Sequence, residues 1–169
     1  MLNIINNLKP FFEDCYRRIN VREYSRIMKV SPPTASKTLS EYERLGLLSR
    51  EIEKNYIFYY ANKNNKYFID LSRIYWQNKL SSFIDYLNQN LLDPTIILFG
   101  SLAKAETRIN SDIDLCIIAH KKMIHTTNFE KELKRKIQLF FFDSVKNIKN
   151  KELANNIING YTLKGRIKL

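Results

Sequence analysis

The sequence has little cysteine, glycine and proline. Of its 169 residues, two are cysteine, four are glycine and four are proline. Cys15 and Cys116 each stand in an apolar context, so a disulfide framework is not expected and a reducing cytoplasm fits. The two histidines form no cluster with the cysteines at the spacing of a zinc site. The sequence therefore predicts a cytoplasmic protein that folds without disulfides or structural zinc.

Long hydrophobic runs are also missing. No window approaches the roughly 18 consecutive apolar residues that a membrane-spanning helix needs. The N-terminus lacks the basic and then apolar pattern of a signal peptide. We therefore expect no membrane partner.

Acidic residues are outnumbered by basic ones. The chain has 28 Lys and Arg against 17 Asp and Glu, a formal net charge of +11. This excess favours a polyanionic partner such as nucleic acid or nucleotide, although general solubility also accounts for it. The hydrophobic content of 44% is ordinary for a folded protein, and the length allows one large or two small domains.

Two separated segments carry residues suited to binding a metal and a phosphate. An apolar run ends in Gly100 and Ser101, and a second apolar run begins with Asp112 and Asp114. Residues two apart in a strand share a face, so the two carboxylates project together and repel unless a cation lies between them. Gly100 lets the backbone approach a ligand closely, and Ser101 offers a hydroxyl and an N–H at the expected start of a helix. The pair of segments predicts a site for a metal-bound triphosphate.

Gly100 to Glu106, followed by Ser111 to Leu115, resembles the signature of the minimal nucleotidyltransferases in the DNA polymerase beta superfamily. The resemblance covers about residues 95–169. It implies that Asp112 and Asp114 are catalytic residues that bind Mg²⁺ or Mn²⁺, with a nucleoside triphosphate as substrate or effector. For Lys104, an exposed helix lysine is the alternative. The nucleotide-binding residues that the resemblance implies are Gly100, Ser101, Lys104 and Ser111.

The same family uses a third carboxylate on a later strand, as a metal ligand and as the base for the attacking hydroxyl. The position that aligns with this acid is Gln138, which neither accepts a proton usefully nor offsets metal charge. Asp143 lies five residues on and faces the other side unless a bulge intervenes. This departure separates two hypotheses: an active enzyme, and a domain that binds a nucleotide without transferring it.

The first 46 residues predict three helices. Apolar residues at helical spacing predict the first helix over residues 2–19, and Asn20 is expected to cap the second. Ser31 at an N-cap followed by Pro32 predicts the start of the third helix. The face of the third helix that is expected to pack carries Ala35, Leu39 and Tyr42.

A hairpin is predicted over residues 47–61, with a charged turn at 51–55. Residues 8–62 resemble the winged helix-turn-helix of prokaryotic transcription regulators, through the stretches 31–39 and 46–48. The resemblance implies that the third helix enters the major groove of duplex DNA and that the hairpin touches the backbone. A winged helix used only for protein contacts is the alternative. The expected DNA-binding residues are Ser31, Thr34, Ser36, Lys37, Arg44, Arg50 and Lys54.

Residues 66–92 carry apolar side chains at helical spacing and predict one long helix, which holds Trp76 and ends before Pro94. Its apolar stripe either packs against the chain's own domains or pairs with a second copy in a homodimer.

The predicted fold class is α+β in two domains. The N-terminal domain is a winged helix, mostly α with a β-hairpin wing, and the C-terminal one is a nucleotidyltransferase-type α/β domain with a small mixed sheet. Strands are predicted at 95–99, 112–119 and 136–142, and helical segments at 101–107, 129–135 and 151–158. The boundaries are 1–62 for the DNA-binding domain, 63–94 for the linking helix and 95–169 for the nucleotidyltransferase-like domain.

Three functions fit these patterns. The first is a DNA-binding protein whose second domain binds a metal–nucleoside triphosphate and transfers the monophosphate to an acceptor. The second is a transcription regulator with a catalytically degenerate, nucleotide-sensing domain. The third, implied by the resemblance, is an antitoxin-type nucleotidyltransferase that partners a HEPN-type toxin. The residues favour the first and leave open the acceptor, the nucleotide and the DNA sequence.

Overall fold

The computed structural model describes residues 3–167. These residues form eight α-helices and two small β-sheets, so the mixed α+β character of the chain is confirmed. The chain divides into two compact units. Unit 1 comprises the residues up to Tyr75 together with Ala105–Ile109, and unit 2 comprises Trp76–Lys104 together with the residues from Asn110 onward. Among the described residues, no helix is both long enough and apolar enough to cross a membrane.

Unit 1 begins with three helices, α1 (Asn3–Glu13), α2 (Val21–Met28) and α3 (Pro32–Arg44). Both predicted N-caps are present. The side chain of Asn20 accepts a hydrogen bond from the Glu23 N–H at 2.9 Å, and the Ser31 hydroxyl accepts one from the Thr34 N–H at 3.3 Å. These side chains satisfy backbone donors that have no partner inside the helix, which is why both helices begin where they do.

The first helix is shorter than the prediction over 2–19. It ends at Glu13, and Leu2 lies outside the described residues. The Asp14 carboxylate accepts a hydrogen bond from the Tyr16 N–H at 3.0 Å, which favours a turn at this point. Ile19 and Asn20 then pair with another strand instead of continuing the helix.

The sheet of unit 1 has three antiparallel strands, β1 (Ile19–Asn20), β2 (Leu48–Glu53) and β3 (Tyr56–Ala61), in the order β1-β3-β2. The predicted hairpin is confirmed, but the turn predicted over 51–55 is wrong. It has only two residues, because Glu51–Glu53 pair with Tyr56–Phe58 as part of the strands. Lys54 and Asn55 have φ values of 46° and 67°, the left-handed backbone that such tight hairpin turns require.

The core of unit 1 is aromatic. The Phe12 ring lies 5.1 Å from that of Phe68 and 5.4 Å from that of Tyr75, measured between centroids. The Cys15 N–H donates to the Thr107 carbonyl at 2.7 Å, which holds the 105–109 segment within this unit. The face of α3 that was expected to pack is buried, at Ala35, Leu39 and Tyr42.

The stretch 66–92 contains two helices, α4 (Lys66–Lys79) and α5 (Ser81–Asn90), so the prediction of one long helix is wrong. Leu80 separates them, with φ −91° and ψ 0°. Phe68 and Tyr75 of the first helix pack against Phe12 in unit 1. The residues from Trp76 onward, including the second helix, belong to unit 2, where the ring centroids of Phe83 and Phe129 lie 4.8 Å apart. Most of the stripe is therefore buried inside the chain, and a homodimer through it stays a prediction.

Unit 2 is built on a four-stranded mixed sheet of β4 (Thr95–Phe99), β5 (Ile113–Ile118), β6 (Ile137–Phe142) and β7 (Tyr161–Lys164). The order is β6-β5-β4-β7; β4 is antiparallel to β5 and β7, and β5 is parallel to β6. The predicted small mixed sheet is confirmed, and β7 is an additional strand that the sequence did not indicate.

Three further helices belong to unit 2, α6 (Gly100–Ala103), α7 (Thr127–Leu133) and α8 (Lys151–Ile158). The helical turn predicted over 101–107 is shorter, because Ala105 adopts a left-handed backbone with φ 54°. One hydrophobic cluster packs β4 and β5 against the segments that follow β6, through Ile97, Phe99, Cys116, Val145, Ile148 and Ile157.

Strand β6 contains three consecutive phenylalanines. The structure places them on an edge strand, where Phe140, Phe141 and Phe142 are each half-buried. Phe140 and Phe142 pack against the hydrophobic cluster.

Candidate functional site

The two motif segments meet at one end of the sheet in unit 2. Phe99, the last residue of β4, pairs with Asp114 in β5, so Gly100 follows beside that carboxylate. Gly100 has φ +70°, and a Cβ added to it would lie 2.5 Å from Asp114 Oδ2. A side chain here would displace the carboxylate, and the left-handed backbone would strain any other residue. Glycine is therefore what allows the carboxylate to lie against this turn.

The acid pair heads β5 as the strand alternation predicted. Ile113 and Leu115 are fully buried, whereas Asp112 and Asp114 keep part of their surface exposed. Burial raises the pKa of Asp114 above its ordinary value, and the negative charge of Asp112 raises it further. The two carboxylates thus lie in a position where their ionised forms destabilise each other.

Gln138 joins this site through the parallel pairing of β5 with β6. Its partner in the register is Asp114, and its Nε2 donates a hydrogen bond to Asp112 Oδ2 at 2.7 Å. The strand thus places an amide beside the acid pair, where the resemblance led us to expect a third acid. Asp143 follows the far end of β6, and its Oδ1 lies 4.0 Å from His120 Nδ1. Asp143 does not take part in the site.

The family of this chain is shown by its sequence. Residues 82–166, half of the chain, match the model of the protein family described as Polymerase beta, Nucleotidyltransferase. The chain belongs to the polymerase beta nucleotidyltransferase family. A search of curated proteins and a search of solved structures each found no match. Domains of the polymerase beta nucleotidyltransferase family generally use divalent metal ions and nucleoside triphosphates.

The donor set of this nucleotidyltransferase domain fits one divalent cation. Mg²⁺ prefers oxygen ligands and is often held by one or two carboxylates together with phosphate oxygens and water. Asp112 and Asp114 offer two such carboxylates, and a cation between them would relieve the repulsion that raises the pKa of Asp114. Within residues 3–167, no group of three or more His, Cys, Asp or Glu side chains could hold a metal ion. This agrees with the amide at Gln138.

The other predicted nucleotide-binding residues surround the same nucleotidyltransferase motif. Ser101 lies in the first turn of α6 and is half-buried. The exposed Lys104 donates from Nζ to Asn156 Oδ1 in α8 at 2.8 Å. The Ser111 backbone carbonyl accepts a hydrogen bond from Arg135 Nη1 at 2.7 Å. In this structure Lys104 is therefore held by α8.

Two residues near the nucleotidyltransferase motif were missed in the sequence. Arg135 is almost fully buried, and Glu130 Oε1 accepts a hydrogen bond from the Ile137 N–H at 2.8 Å. Both precede β6, and Glu130 bonds the turn that leads into it. No spacing in the sequence pointed to Arg135, because its bond to Ser111 depends on how β5 and β6 align.

The residues predicted to bind DNA lie in unit 1, on α3 and on the β2–β3 hairpin. All seven are exposed. The hydroxyls of Ser31 and Thr34 lie 2.8 Å apart, so they share a hydrogen bond at the start of α3. Arg50 Nε lies 3.7 Å from Glu43 Oε1, an exposed ion pair of little energetic weight. The exposed residues are Ser31, Thr34, Ser36, Lys37, Arg44, Arg50 and Lys54.

Proposed function

We propose that unit 2 binds a nucleoside triphosphate with a divalent cation and transfers its nucleoside monophosphate to an acceptor hydroxyl, releasing pyrophosphate. The observation that carries this proposal is the approach of Asp114 to Gly100, because it brings the acid pair and the Gly-Ser turn together at one end of the sheet. Membership of the polymerase beta nucleotidyltransferase family supports the class of reaction.

Each residue of the site has a role in this proposal. Asp112 and Asp114 would hold Mg²⁺ or Mn²⁺, which would supply positive charge where negative charge builds up on the phosphates. The backbone at Gly100 and Ser101 would contact the triphosphate, and Ser111 would contact it from the position next to Asp112. Lys104 would reach a phosphate only after leaving Asn156.

The test is a label-transfer assay. The protein is incubated with each nucleoside triphosphate labelled at the α-phosphate, with Mg²⁺ or Mn²⁺, and with candidate small-molecule, RNA and protein acceptors. We expect covalent label on one acceptor class with the wild-type chain and none with the Asp112→Asn, Asp114→Asn double variant. Equal labelling by the double variant would contradict the assignment of the acid pair.

A second candidate function is supported by the hydrogen bond from Gln138 to Asp112. An amide cannot act as general base, and here its donor occupies an oxygen of a metal-binding carboxylate. Such a site would bind a metal–nucleotide and respond to it without transfer, as in a nucleotide-sensing transcription regulator.

The variant Gln138→Asp separates the two candidate functions. If the domain is a sensor, the wild type binds nucleotide and transfers no label, and the added carboxylate creates or strongly increases transfer. Gln138→Asn is the matched control, because the asparagine side chain has the same length as that of aspartate and carries no charge. If the domain is an active enzyme, the wild type transfers label already.

We also propose that unit 1 is a winged helix that binds duplex DNA. Its support is the short connection between α2 and α3, the hairpin that follows, and the exposure of the predicted contact residues on both. Residues 1–62 have 10 Lys and Arg against 7 Asp and Glu, a small basic excess that favours a polyanionic partner.

A gel-shift titration at several salt concentrations tests the DNA proposal. Lys37→Ala should weaken binding and lower the slope of log affinity against log salt by about 0.9, as expected for the loss of one phosphate contact. Lys66→Ala is the matched control, since Lys66 is an exposed lysine of the same unit that pairs with Asp70 at 2.6 Å. Unchanged binding by Lys37→Ala would contradict the role of α3.

A further inference from the structure

Arg135 is the most deeply buried charged side chain among residues 3–167, with 6% of its surface exposed. Burying a guanidinium is costly unless hydrogen bonds and neighbouring π-electrons compensate its charge. Its Cζ lies 5.1 Å from the centroid of the fully buried Trp76 ring. Its Nη1 donates to the Ser111 carbonyl at 2.7 Å. The guanidinium of Arg135 is thus buried in unit 2 and hydrogen-bonded to Ser111, the residue that precedes Asp112.

The backbone of Arg135 is itself fixed by Glu130. The Arg135 N–H donates to the Glu130 carbonyl at 3.2 Å. The Glu130 carboxylate accepts from the Ile137 N–H at 2.8 Å. Lys134, between them in the turn, has a left-handed backbone with φ 54°. Because both sides of the turn are hydrogen-bonded to Glu130, the backbone from which the Arg135 side chain extends is held in place.

The same turn holds Asp112 on both sides. The carbonyl of Ser111, before it, accepts from the Arg135 side chain, and the N–H of Ile113, after it, donates to the Lys136 carbonyl at 2.8 Å. The Asp112 side chain then accepts from Gln138. We propose that Arg135 is a positioning residue that fixes the Ser111 peptide and thereby aims the Asp112 carboxylate at the cation site.

This inference rests on the proposed function, because it requires that Asp112 and Asp114 bind a divalent cation. The expected effect follows from the behaviour of residues that orient metal ligands, whose loss typically lowers metal affinity about 10- to 100-fold. Arginine suits the role because its planar guanidinium can stack on a ring and donate a hydrogen bond at a set angle. Lysine keeps the charge but lacks this fixed geometry.

The experiment measures Mn²⁺ binding by the loss of the free-ion electron paramagnetic resonance signal, without any nucleotide. Binding at the acid pair is the Mn²⁺ binding that the wild type shows and the Asp112→Asn, Asp114→Asn double variant lacks. Arg135→Met should weaken this binding about tenfold or more, and Arg135→Lys should weaken it by a smaller factor. Lys79→Met is the matched control, because Lys79 Nζ lies 4.9 Å from the same Trp76 ring, and we expect it to bind Mn²⁺ like the wild type.

Thermal unfolding of each variant separates positioning from general stability, since a merely structural role would lower the unfolding temperature and leave Mn²⁺ affinity unchanged in the folded protein. If Arg135→Met does not fold, Arg135→Lys decides. A folded Arg135 variant with wild-type Mn²⁺ affinity would overturn this inference and leave the proposed function standing. Wild-type protein without Mn²⁺ binding at the acid pair would overturn both.

Discussion

Replacing Gly100 with alanine tests the contact that joins the Gly-Ser turn to the acid pair. Gly100 has φ +70°, a conformation that costs a non-glycine residue about 1–2 kcal/mol. For a chain of this length, that loss corresponds to a decrease of about 2–8 °C in the unfolding temperature. The effect of Gly100→Ala on stability should therefore be modest.

The effect of the same substitution on binding should be much larger. The new Cβ would lie 2.5 Å from Asp114 Oδ2, whereas an ordinary contact begins near 3.4 Å, so the carboxylate must move by about 1 Å. Displacements of that size in an active site lower the reaction rate on the order of 100-fold. We expect Gly100→Ala to lower the affinity for Mn²⁺ and for Mg²⁺–nucleotide by roughly this factor.

Isothermal titration calorimetry and thermal unfolding measure the two effects separately. The matched control is Gly46→Ala, because Gly46 also has φ +70° but lies in unit 1, where the neighbour that an added Cβ meets within residues 3–167 is the Asn65 side chain at 3.3 Å. Gly46→Ala should lose similar stability and keep its cation affinity. If Gly100→Ala binds Mn²⁺ as tightly as the wild type, the argument from the Gly100–Asp114 contact is refuted.

Two further predictions concern pKa values. Burial raises the pKa of Cys15 to about 11 and that of Cys116 to about 12. We therefore expect both thiols to react with Ellman's reagent at pH 8 at least about 100-fold more slowly in the folded protein than in urea. Rapid reaction of either thiol in the folded protein would contradict this. Burial, and then the charge of Asp112, raise the pKa of Asp114 above 3.8, so the ionised side chain destabilises the metal-free folded protein. This destabilisation disappears as the pH falls through the folded-state pKa toward 3.8. Asp114→Asn should therefore be more stable than the wild type to urea at pH 7, with a difference that shrinks toward pH 4; a difference independent of pH would contradict the shift.

Features that depend on local chemistry were predicted well from the sequence. The caps at Asn20 and Ser31 follow from side chains that bond the N–H three residues on. The hairpin follows from two β-prone stretches around a short polar turn. The proximity of Asp114 to Gly100 follows from residue spacing within and at the ends of β4 and β5, which is why the sequence predicted that the two segments meet.

Features that depend on distant partners were not predicted. β7 is only four residues long and is a strand because it pairs with β4, so its own sequence carries no strong signal. Leu80 itself continues the apolar spacing of residues 66–92, so that spacing gave no sign of the break between the two helices there. The bond from Arg135 to Ser111 spans 24 positions and exists only in the register of β5 with β6. Periodicity carries no information about such pairs.

The most direct test of the central claim is a calorimetric titration of the full chain with Mg²⁺ and each nucleoside triphosphate. The wild type is compared with the Asp112→Asn, Asp114→Asn double variant. The account predicts that the wild type binds at least one Mg²⁺–nucleotide, and that the double variant folds and binds none. Equal affinity of the two proteins, or no binding by a folded wild type, would contradict it.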